Sequence, residues 1–259
     1  MWRIYDELIE EVPKDLRVKE CIIGLHWTLI RSDATIGMAL TPFERGNAHG
    51  AKGSATSGIS KPLIGMPVRE LAQFSKSWNP FEAALGLAAI NSYFNAPSKI
   101  ESLLGQSILS QQQVSAFMHY ADAVRGKKVA VIGRFPDLDE FDKLCRLTVL
   151  ERNPGHRDLP DPACEYVLPE QDVVFITATT IINKTLPRLL ELSRNAFTFL
   201  VGPSAPFAPL LANHGIDAVA GTVVFEPDRL KQAVLEGATW GIFSNGALMV
   251  KKEFKDFAL

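Results

Sequence analysis

The sequence predicts an α/β protein of two domains, and three observations support this prediction. From residue 127 onward, short apolar strands alternate with helical segments, which is typical of a parallel, doubly wound sheet. Before residue 105 the order differs, with an amphipathic helix, then strands, then further helices, as in an α+β unit. The chain has 259 residues, a length at which two domains are a reasonable expectation. We therefore divide it into a first domain of 1–104, a connector helix of 105–126 and a second domain of 127–259.

The first elements are an amphipathic helix and two strands. Apolar residues recur at helical spacing from Trp2 to Val12, and Pro13 ends the pattern. Residues 18–30 and 36–40 are rich in apolar and β-branched side chains, which predicts two strands. Residues 44–61 hold almost no large apolar side chain, so they predict a long loop of the kind that serves as a lid or binding loop.

The clearest helix begins at Asn79. This residue is a good N-cap, Pro80 occupies the first helical position, and Glu82 follows three residues after the cap. Residues 83–90 are small and apolar on nearly every face, which predicts a central, closely packed helix.

The second half begins with the connector and continues into the repeated strand–helix pattern. Ser110 and Gln113 form a capping-box pattern for the connector helix, which Gly126 would end. Asn245 and Gly246 predict a hairpin with antiparallel edge strands. Between the connector helix and this hairpin we expect strands at 129–133, 147–150, 172–177, 198–201 and 218–225. The helices expected there are at 137–145, 186–193, 207–214 and 228–236.

Composition argues against several kinds of partner. The formal net charge is −2 and no Lys/Arg block occurs, so we expect no nucleic-acid partner. The apolar run at 83–90 is far shorter than the roughly 20 residues of a membrane span. The N-terminus carries acids where a signal peptide needs a basic and then an apolar stretch. We expect a cytoplasmic protein with no membrane partner, and leave a homo-oligomer open.

Metal ligands are not clustered in the sequence. Cys21, Cys145 and Cys164 are widely spaced, and the five histidines are scattered, with neither a C-x-x-C nor an H-x-x-x-H motif. Buried, reduced thiols are the simplest interpretation, and we predict no metal ligands in this chain.

In an open parallel sheet, ligands bind outside the carboxyl ends of the strands, which directs attention to four loops. The first contains Gly133, Arg134 and Phe135. Only the first glycine of a G-x-G-x-x-G fingerprint is present, and the next helix opens with Asp137 and other acids, which repel a pyrophosphate. We therefore expect no NAD.

The second loop contains Glu151, 18 residues beyond Gly133. An acid near this position hydrogen-bonds ribose hydroxyls in nucleotide-binding sheets. Sites for S-adenosylmethionine share such an acid and need no pyrophosphate cradle. The alternative is a solvated loop acid beside Arg152.

The third loop is rich in threonine. It holds Thr177, Thr179, Asn183, Lys184 and Thr185, where a predicted strand gives way to a helix. Hydroxyls and a cation at a helix N-terminus suit a carboxylate or a phosphate. The alternative is a capped, solvated loop.

The fourth loop contains Gly202, Pro203 and Ser204. It has no acid, and its glycine would let a flat ligand approach the backbone, although many such loops only turn. The sequence shows no G-x-S-x-G, H-E-x-x-H or Ser-His-Asp pattern, so no nucleophile is identified.

Several separate motifs together resemble one known family. They are 131–136, 168–177, 182–193 and 200–206 in the second half, and Thr28, 30–32 and 77–79 in the first. In these motifs, and in their order, the chain is similar to the putative heavy-metal chelation family.

The resemblance implies an enolase-N-terminal-like α+β domain, followed by a Rossmann-like domain resembling methyltransferases. It also implies a site between the two domains, to which Thr28, Arg31, Trp78 and Asn79 would contribute from the first. We expect Trp78 to stack on a flat ligand; the alternative is a core tryptophan at the helix start. The suggested roles are condensation or hydrolysis in making flavin-, pterin- or siderophore-like molecules, or the handling of heavy metals.

Our first hypothesis is an enzyme, or enzyme-like binder, for a heteroaromatic or metal-chelating metabolite in the interdomain cleft. A non-catalytic carrier of a metal or metal chelate is the alternative, and a methyltransferase using S-adenosylmethionine is a second alternative. The small-molecule ligand or cofactor would be S-adenosylmethionine-like or pterin/flavin-like.

Overall fold

The chain folds around two β-sheets, and the computed structural model describes residues 2–42, 59 and 61–257. The strands are β1 (Val18–Ile23), β2 (Trp27–Ser32), β3 (Ile36–Leu40), β4 (Lys128–Ile132), β5 (Arg146–Glu151), β6 (Leu159–Pro160), β7 (Val173–Thr177), β8 (Phe197–Val201), β9 (Ala218–Val224) and β10 (Ala247–Glu253). The helices are α1 (Arg3–Glu11), α2 (Val68–Ala72), α3 (Pro80–Phe94), α4 (Pro97–Leu104), α5 (Ala116–His119), α6 (Leu138–Phe141), α7 (Cys164–Val167), α8 (Thr179–Ile182), α9 (Leu186–Leu192) and α10 (Pro227–Leu235). None of these described helices is long and apolar enough to cross a bilayer.

The larger sheet has seven strands in the order β10-β9-β8-β7-β4-β5-β6. All neighbours are parallel except β10, which runs antiparallel to β9, so the predicted parallel sheet with an antiparallel edge strand is confirmed. The chain moves outward from β4 to β5 and β6, then returns to place β7 on the other side of β4. The strand order therefore reverses between β4 and β7, and their carboxyl ends border a crevice.

The hairpin predicted at Asn245 and Gly246 is wrong. α10 and a 3₁₀ helix (Trp240–Ser244) lie between β9 and β10, so the connection is far longer than a tight turn. Gly246 adopts a positive φ of 89°, and its carbonyl accepts hydrogen bonds from the N–H groups of Phe225 and Glu226. The glycine thus lies directly before the edge strand and does not form a two-residue turn.

The smaller sheet is antiparallel in the order β1-β2-β3, and α3 packs against it. The single strand expected over 18–30 is divided, because Gly24 N–H donates to the Trp27 carbonyl in a turn. The contact between α3 and β3 is unusually close: a Cβ added at Gly37 would lie 2.0 Å from the Ser92 nitrogen and 2.1 Å from the Ala88 carbonyl oxygen. Only glycine allows this approach.

The predicted central helix is confirmed as α3. The Asn79 side chain accepts from the N–H groups of Phe81 and Glu82 at 3.0 and 3.4 Å, as an N-cap should. Nearly every residue of the helix is buried. The predicted loop over 44–61 lies almost entirely outside the described residues.

The segment 105–126 is not one continuous helix. It contains a 3₁₀ turn (Ile108–Ser110) and the single-turn helix α5, which Ser115 rather than Ser110 caps. The residues between these turns run along the outer edge of β10. There the side-chain oxygens of Gln113 and Gln111 accept hydrogen bonds from the N–H groups of Met249 and Lys251.

The first hundred residues pack directly against the larger sheet. One apolar core contains residues of α3 as well as of β7, β8 and β9. Polar bonds cross the same boundary: the Asn91 side-chain amide donates to the Ser204 carbonyl, and the Leu40 N–H donates to the Ser204 hydroxyl. This packing sets the smaller sheet beside the carboxyl edge of the larger one.

Candidate functional site

A cleft of about 690 Å³ opens at the carboxyl ends of β4, β5 and β7. Leu40, Pro42, Pro80 and Trp240 border it from outside the larger sheet. Residues of three of the four loops identified from sequence line it together: Gly133, Arg134, Phe135, Glu151, Thr177, Thr179, Asn183, Lys184 and Thr185. The cleft thus lies where the order of parallel strands reverses, the usual place for a ligand in such sheets.

The fourth loop lies beside this cleft. Gly202, Pro203 and Ser204 border a small hollow of about 40 Å³ next to Phe135. A Cβ added at Gly202 would lie 3.9 Å from the Phe135 ring, and one at Gly133 would lie 3.6 Å from it. The open face of Gly202 is therefore next to an aromatic side chain of the protein itself.

Thr28 and Arg31, which the sequence motifs suggested as ligand contacts, instead contact other residues of the protein. Thr28 is buried, and its hydroxyl lies 3.0 Å from the Thr41 hydroxyl. Arg31 is exposed and forms a loose ion pair of 3.8 Å with Asp228. Neither is among the residues that line the cleft.

The other two lie near the start of α3. Asn79 is its N-cap, and Trp78 is 70% exposed with its ring edge-on to Trp2 at 5.9 Å. The cleft reaches the neighbouring Pro80, but neither Trp78 nor Asn79 lines it.

Most charged side chains of the cleft are already paired. Arg152 lies 3.3 Å from Asp161, and Arg188 lies 2.6 Å from Glu165. Arg134 lies 2.7 Å from Asp158, a carboxylate that is itself almost completely buried. These pairs neutralise one another, so they add little net charge to the cleft.

Among the described cations that line the cleft, Lys184 is the one without a carboxylate partner. Its side chain makes no ion pair there, and the residue is only 6% exposed. The ammonium donates one hydrogen bond of 2.6 Å to the Ile182 carbonyl. Burial lowers the pKa of the Lys184 amine to about 8.

The backbone at Lys184 is also unusual. Its φ of 65° places it in the left-handed region, and no other non-glycine residue in the described chain has a positive φ. The turn is held by Asn183, whose side-chain oxygen accepts from the Thr185 N–H at 3.1 Å and from the Thr185 hydroxyl at 2.7 Å. This turn ends α8 and starts α9.

Threonine hydroxyls lie along the same wall. The hydroxyls of Thr177 and Thr179 are 3.1 Å apart, and the Thr180 hydroxyl donates to the Thr177 carbonyl at 2.6 Å. They offer neutral donors and acceptors in the cleft that Lys184 also lines, a combination that suits an oxyanion.

Glu151 has backbone partners. Its Oε2 accepts from the Arg134 N–H at 3.0 Å, and its Oε1 accepts from the N–H groups of Arg152 and Asn153 at 2.7 and 3.3 Å. The carboxylate thus ties the loop after β4 to the loop after β5. Oε2 keeps one free acceptor position for a ligand hydroxyl.

Several residues of the cleft wall carry no local sequence signal. Arg188 and Glu165 form an ion pair between α9 and α7, and α7 itself was not predicted. Trp240 is the first residue of the 3₁₀ helix that follows α10, where no local pattern points to the sheet edge. Only the tertiary fold brings these residues together.

The thiols do not fit a direct site for a soft metal ion. Burial raises the pKa of Cys21, Cys145 and Cys164 to about 11, which favours the protonated form that binds metal poorly. Across residues 2–42 and 61–257, no group of three or more His, Cys, Asp or Glu side chains is placed to hold an ion.

A family model described as putative heavy-metal chelation, DUF364, matches residues 115–252, more than half of the chain. This chain belongs to the DUF364 family. A second model with the same description matches residues 5–94. The resemblance drawn from the sequence motifs is thereby confirmed.

Solved structures and a curated relative agree with the family assignment. A DUF364 protein of unknown function from Desulfitobacterium hafniense has 38% identity and a TM-score of 0.85, and the match covers 98% of both chains. A DUF364 protein from Pyrococcus horikoshii has 22% identity and a TM-score of 0.74, over 97% of this chain and 98% of that one, and it shows the fold alone. An uncharacterised protein of Methanocaldococcus jannaschii is 29% identical over 235 residues, which are 86% of this chain and 84% of the relative.

Proposed function

We propose that this DUF364 protein binds and converts a small anionic metabolite of the heteroaromatic or metal-chelating class, flavin-, pterin- or siderophore-like, in the cleft. The observation that carries the proposal is the buried, uncompensated ammonium of Lys184 in the cleft wall. A buried charge is costly unless it is paired. A carboxylate or phosphate of the ligand would supply the missing partner.

The remaining lining supports a flat ligand. Phe135 and Trp240 contribute aromatic surface, and Pro42 and Pro80 contribute apolar surface. A volume of about 690 Å³ is within the range of small-molecule sites. An apolar site with a few fixed polar groups suits a planar ring system that carries an acidic substituent.

The strand order of the larger sheet supports the prediction of a Rossmann-like fold. From β4 to β9 the sheet follows the order 3-2-1-4-5-6, in which ligands bind at the reversal point. We propose a Rossmann-like unit that closes one side of the cleft, with an enolase-N-terminal-like unit on the other.

The family description points to heavy metals, and we propose that a metal reaches the cleft as a complex of the bound metabolite. The raised pKa of each thiol disfavours direct coordination, whereas a chelating ligand brings its own donor atoms.

Ligand-induced thermal stabilisation tests the proposal. Pterin-6-carboxylate, flavin mononucleotide and dihydroxybenzoate are compared with their uncharged analogues, with S-adenosylhomocysteine as a probe for the methyltransferase alternative. An anionic compound at about 100 times its dissociation constant should add about 2.7 kcal/mol to stability. Lys184→Met should abolish the preference for the charged member of each pair.

Lys251 provides a matched control. It is also 6% exposed, its amine donates to the Gln112 carbonyl at 2.7 Å, and burial lowers its pKa to about 8. It lies on β10, at the opposite edge of the sheet from β6, and it does not line the cleft. Lys251→Met should therefore leave anion binding unchanged. Equal losses in the two variants, or no preference for charged ligands in the unmodified protein, would refute the proposal.

A further inference from the structure

We propose that the Lys184 amine is also a nucleophile, which forms a reversible imine with a ligand that carries an aldehyde or ketone beside a carboxylate. This inference rests on the proposed function, because the ligand's carboxylate must first be held in the cleft. It adds a covalent step and a substrate class, the oxo acids.

The first support is the environment of the amine. Of the three N–H donors of a lysine ammonium, one is used by the Ile182 carbonyl, and the described residues provide no second hydrogen-bond partner. The side chain is buried in the protein but borders the cleft. A small carbonyl compound in the cleft would therefore meet an amine that no carboxylate holds.

The second support is the backbone conformation. Other helix ends in this chain place glycine in the left-handed region, such as Gly105 after α4 and Gly215 after the 3₁₀ helix Pro209–His214. A lysine in the same region costs roughly 1–2 kcal/mol that a glycine would avoid. Such strain tends to occur at functional sites, where the side chain is needed in one position. The cost at Lys184 is accounted for if its amine must reach the cleft.

The third support is the charge state. An ordinary lysine has a pKa near 10.4 and is almost fully protonated at neutral pH. Burial lowers the pKa of Lys184 to about 8, so a useful fraction of the amine is neutral and can attack a carbonyl. A lysine that is desolvated in this way is a common route to an activated amine.

The step balances without an oxidant or a reductant. The Nζ lone pair attacks the carbonyl carbon, the C=O π pair moves to oxygen and takes up a proton, and the nitrogen loses one proton to solvent. The hydroxyl of the resulting carbinolamine takes up a proton from solvent and leaves as water, while the nitrogen lone pair forms the C=N bond of a protonated imine. The positive charge therefore stays beside the carboxylate of the ligand. Hydrolysis of the imine reverses these steps.

Reductive trapping tests the inference. The full chain is incubated with glyoxylate, pyruvate or 2-formylbenzoate and with cyanoborohydride, which reduces an imine to a stable secondary amine. Peptide mapping by mass spectrometry then locates the label. We expect label on Lys184 and none above background on Lys251, which has a similar pKa but lies outside the cleft. Surface lysines with ordinary pKa values should react about a hundredfold more slowly near neutral pH.

Two readouts separate this inference from the proposed function. Oxalate has no aldehyde or ketone, so its stabilisation of the unmodified protein reports anion binding alone, whereas Lys184→Arg, whose guanidinium forms no imine, should lose the trapped adduct. If anions stabilise the unmodified protein but none of the three carbonyl probes labels Lys184 above Lys251, the imine is refuted and anion binding stands. If anions do not stabilise it at all, the proposed function fails as well. Mapping in the unmodified protein decides the matter even if the variant folds poorly.

Discussion

The Tyr5 hydroxyl donates a hydrogen bond of 2.9 Å to the Ile181 carbonyl, linking α1 to the helical turn α8 on the cleft wall. Burial raises the pKa of Tyr5 well above its ordinary value, so the phenol remains a proton donor. The Trp2 ring lies edge-on to Tyr5 at 5.4 Å and edge-on to Trp78 at 5.9 Å. Trp78 is thus connected to the cleft through an aromatic chain.

Removing this hydroxyl should affect both stability and binding. Tyr5→Phe leaves the Ile181 carbonyl without its donor, which should lower the free energy of unfolding by about 1 kcal/mol. It should also weaken anion binding modestly, because α8 precedes Lys184. Thermal shift with an anionic ligand measures both effects. Tyr120→Phe, at a buried tyrosine that packs against Phe199 and Phe257 and does not line the cleft, should leave anion binding unchanged. Unchanged affinity in Tyr5→Phe would show that the bond does not position the site.

Gly37→Ala should be among the most damaging single methyl additions. The new Cβ would meet the backbone of α3 at about 2 Å, and neither β3 nor α3 can move without disturbing the core. We expect a loss of at least about 3 kcal/mol, the upper part of the range for overpacking. Urea unfolding measures it. Gly241→Ala, where the nearest atom is 3.8 Å away, is the control and should be nearly neutral. Similar stability in both variants would contradict the close packing described above.

The hydrogen bond between Glu7 and His214 should contribute to acid sensitivity. Hydrogen bonds from His214 and then Arg3 hold the pKa of Glu7 below its ordinary value. Such a group stabilises the fold above its unfolded-state pKa, and the contribution disappears as the pH falls through the lower, folded-state pKa. Between about pH 7 and about pH 3, the free energy of unfolding should fall less steeply with falling pH in Glu7→Gln than in the unmodified protein. If the free energy of unfolding falls equally steeply in the two proteins, other carboxylates cause the acid sensitivity.

Glu151→Gln tests whether this side chain is structural, ligand-binding or both. The new amide would replace an acceptor oxygen by a donor facing backbone N–H groups, so we expect a loss of about 1–3 kcal/mol of stability. If the ligand has a ribose or similar diol, its affinity should fall by about 1–3 kcal/mol as well. Calorimetry of the folded variant separates the two effects. Unchanged affinity would remove Glu151 from the site.

Protein purified without added metal should carry no stoichiometric transition metal on Cys or His ligands. The physical reason is geometric, because no group of three or more His, Cys, Asp or Glu side chains among the described residues is placed to hold an ion. Elemental analysis of untagged protein is the measurement. A tightly bound ion that is lost when Cys21 and His26 are both replaced would contradict this prediction and favour the carrier alternative.

The strand–helix alternation made the larger sheet predictable. Continuous apolar runs such as 173–177 have to be buried on both faces, and their loops then meet at one edge. This is why loops 44 residues apart in sequence, at Gly133 and Thr177, were assigned to one site and line one cleft. The N-cap of α3 was equally clear, because Asn79 and Pro80 act through local hydrogen bonding and a fixed φ.

Other features depend on contacts that no local pattern encodes. The local pattern predicted Ser110 as the cap, whereas Ser115 caps α5 and Gln113 instead bonds to Met249 of β10. The matched motif suggested that Trp78 faces the ligand, but its position depends on Trp2, which is distant in sequence. The burial of Lys184 and its left-handed backbone were likewise invisible, since lysine usually predicts a solvated position.

The glutamine side chains along β10 have a consequence for the behaviour of the protein in concentrated solution. An unprotected edge strand is a template on which another polypeptide can add a further strand, and this is how ordered aggregates start. Gln111 and Gln113 already accept hydrogen bonds from the outward N–H groups of Lys251 and Met249. A foreign strand would have to displace these amides before it could pair. The molecule thus resists fibril-like growth at this edge with two neutral side chains from its own connector.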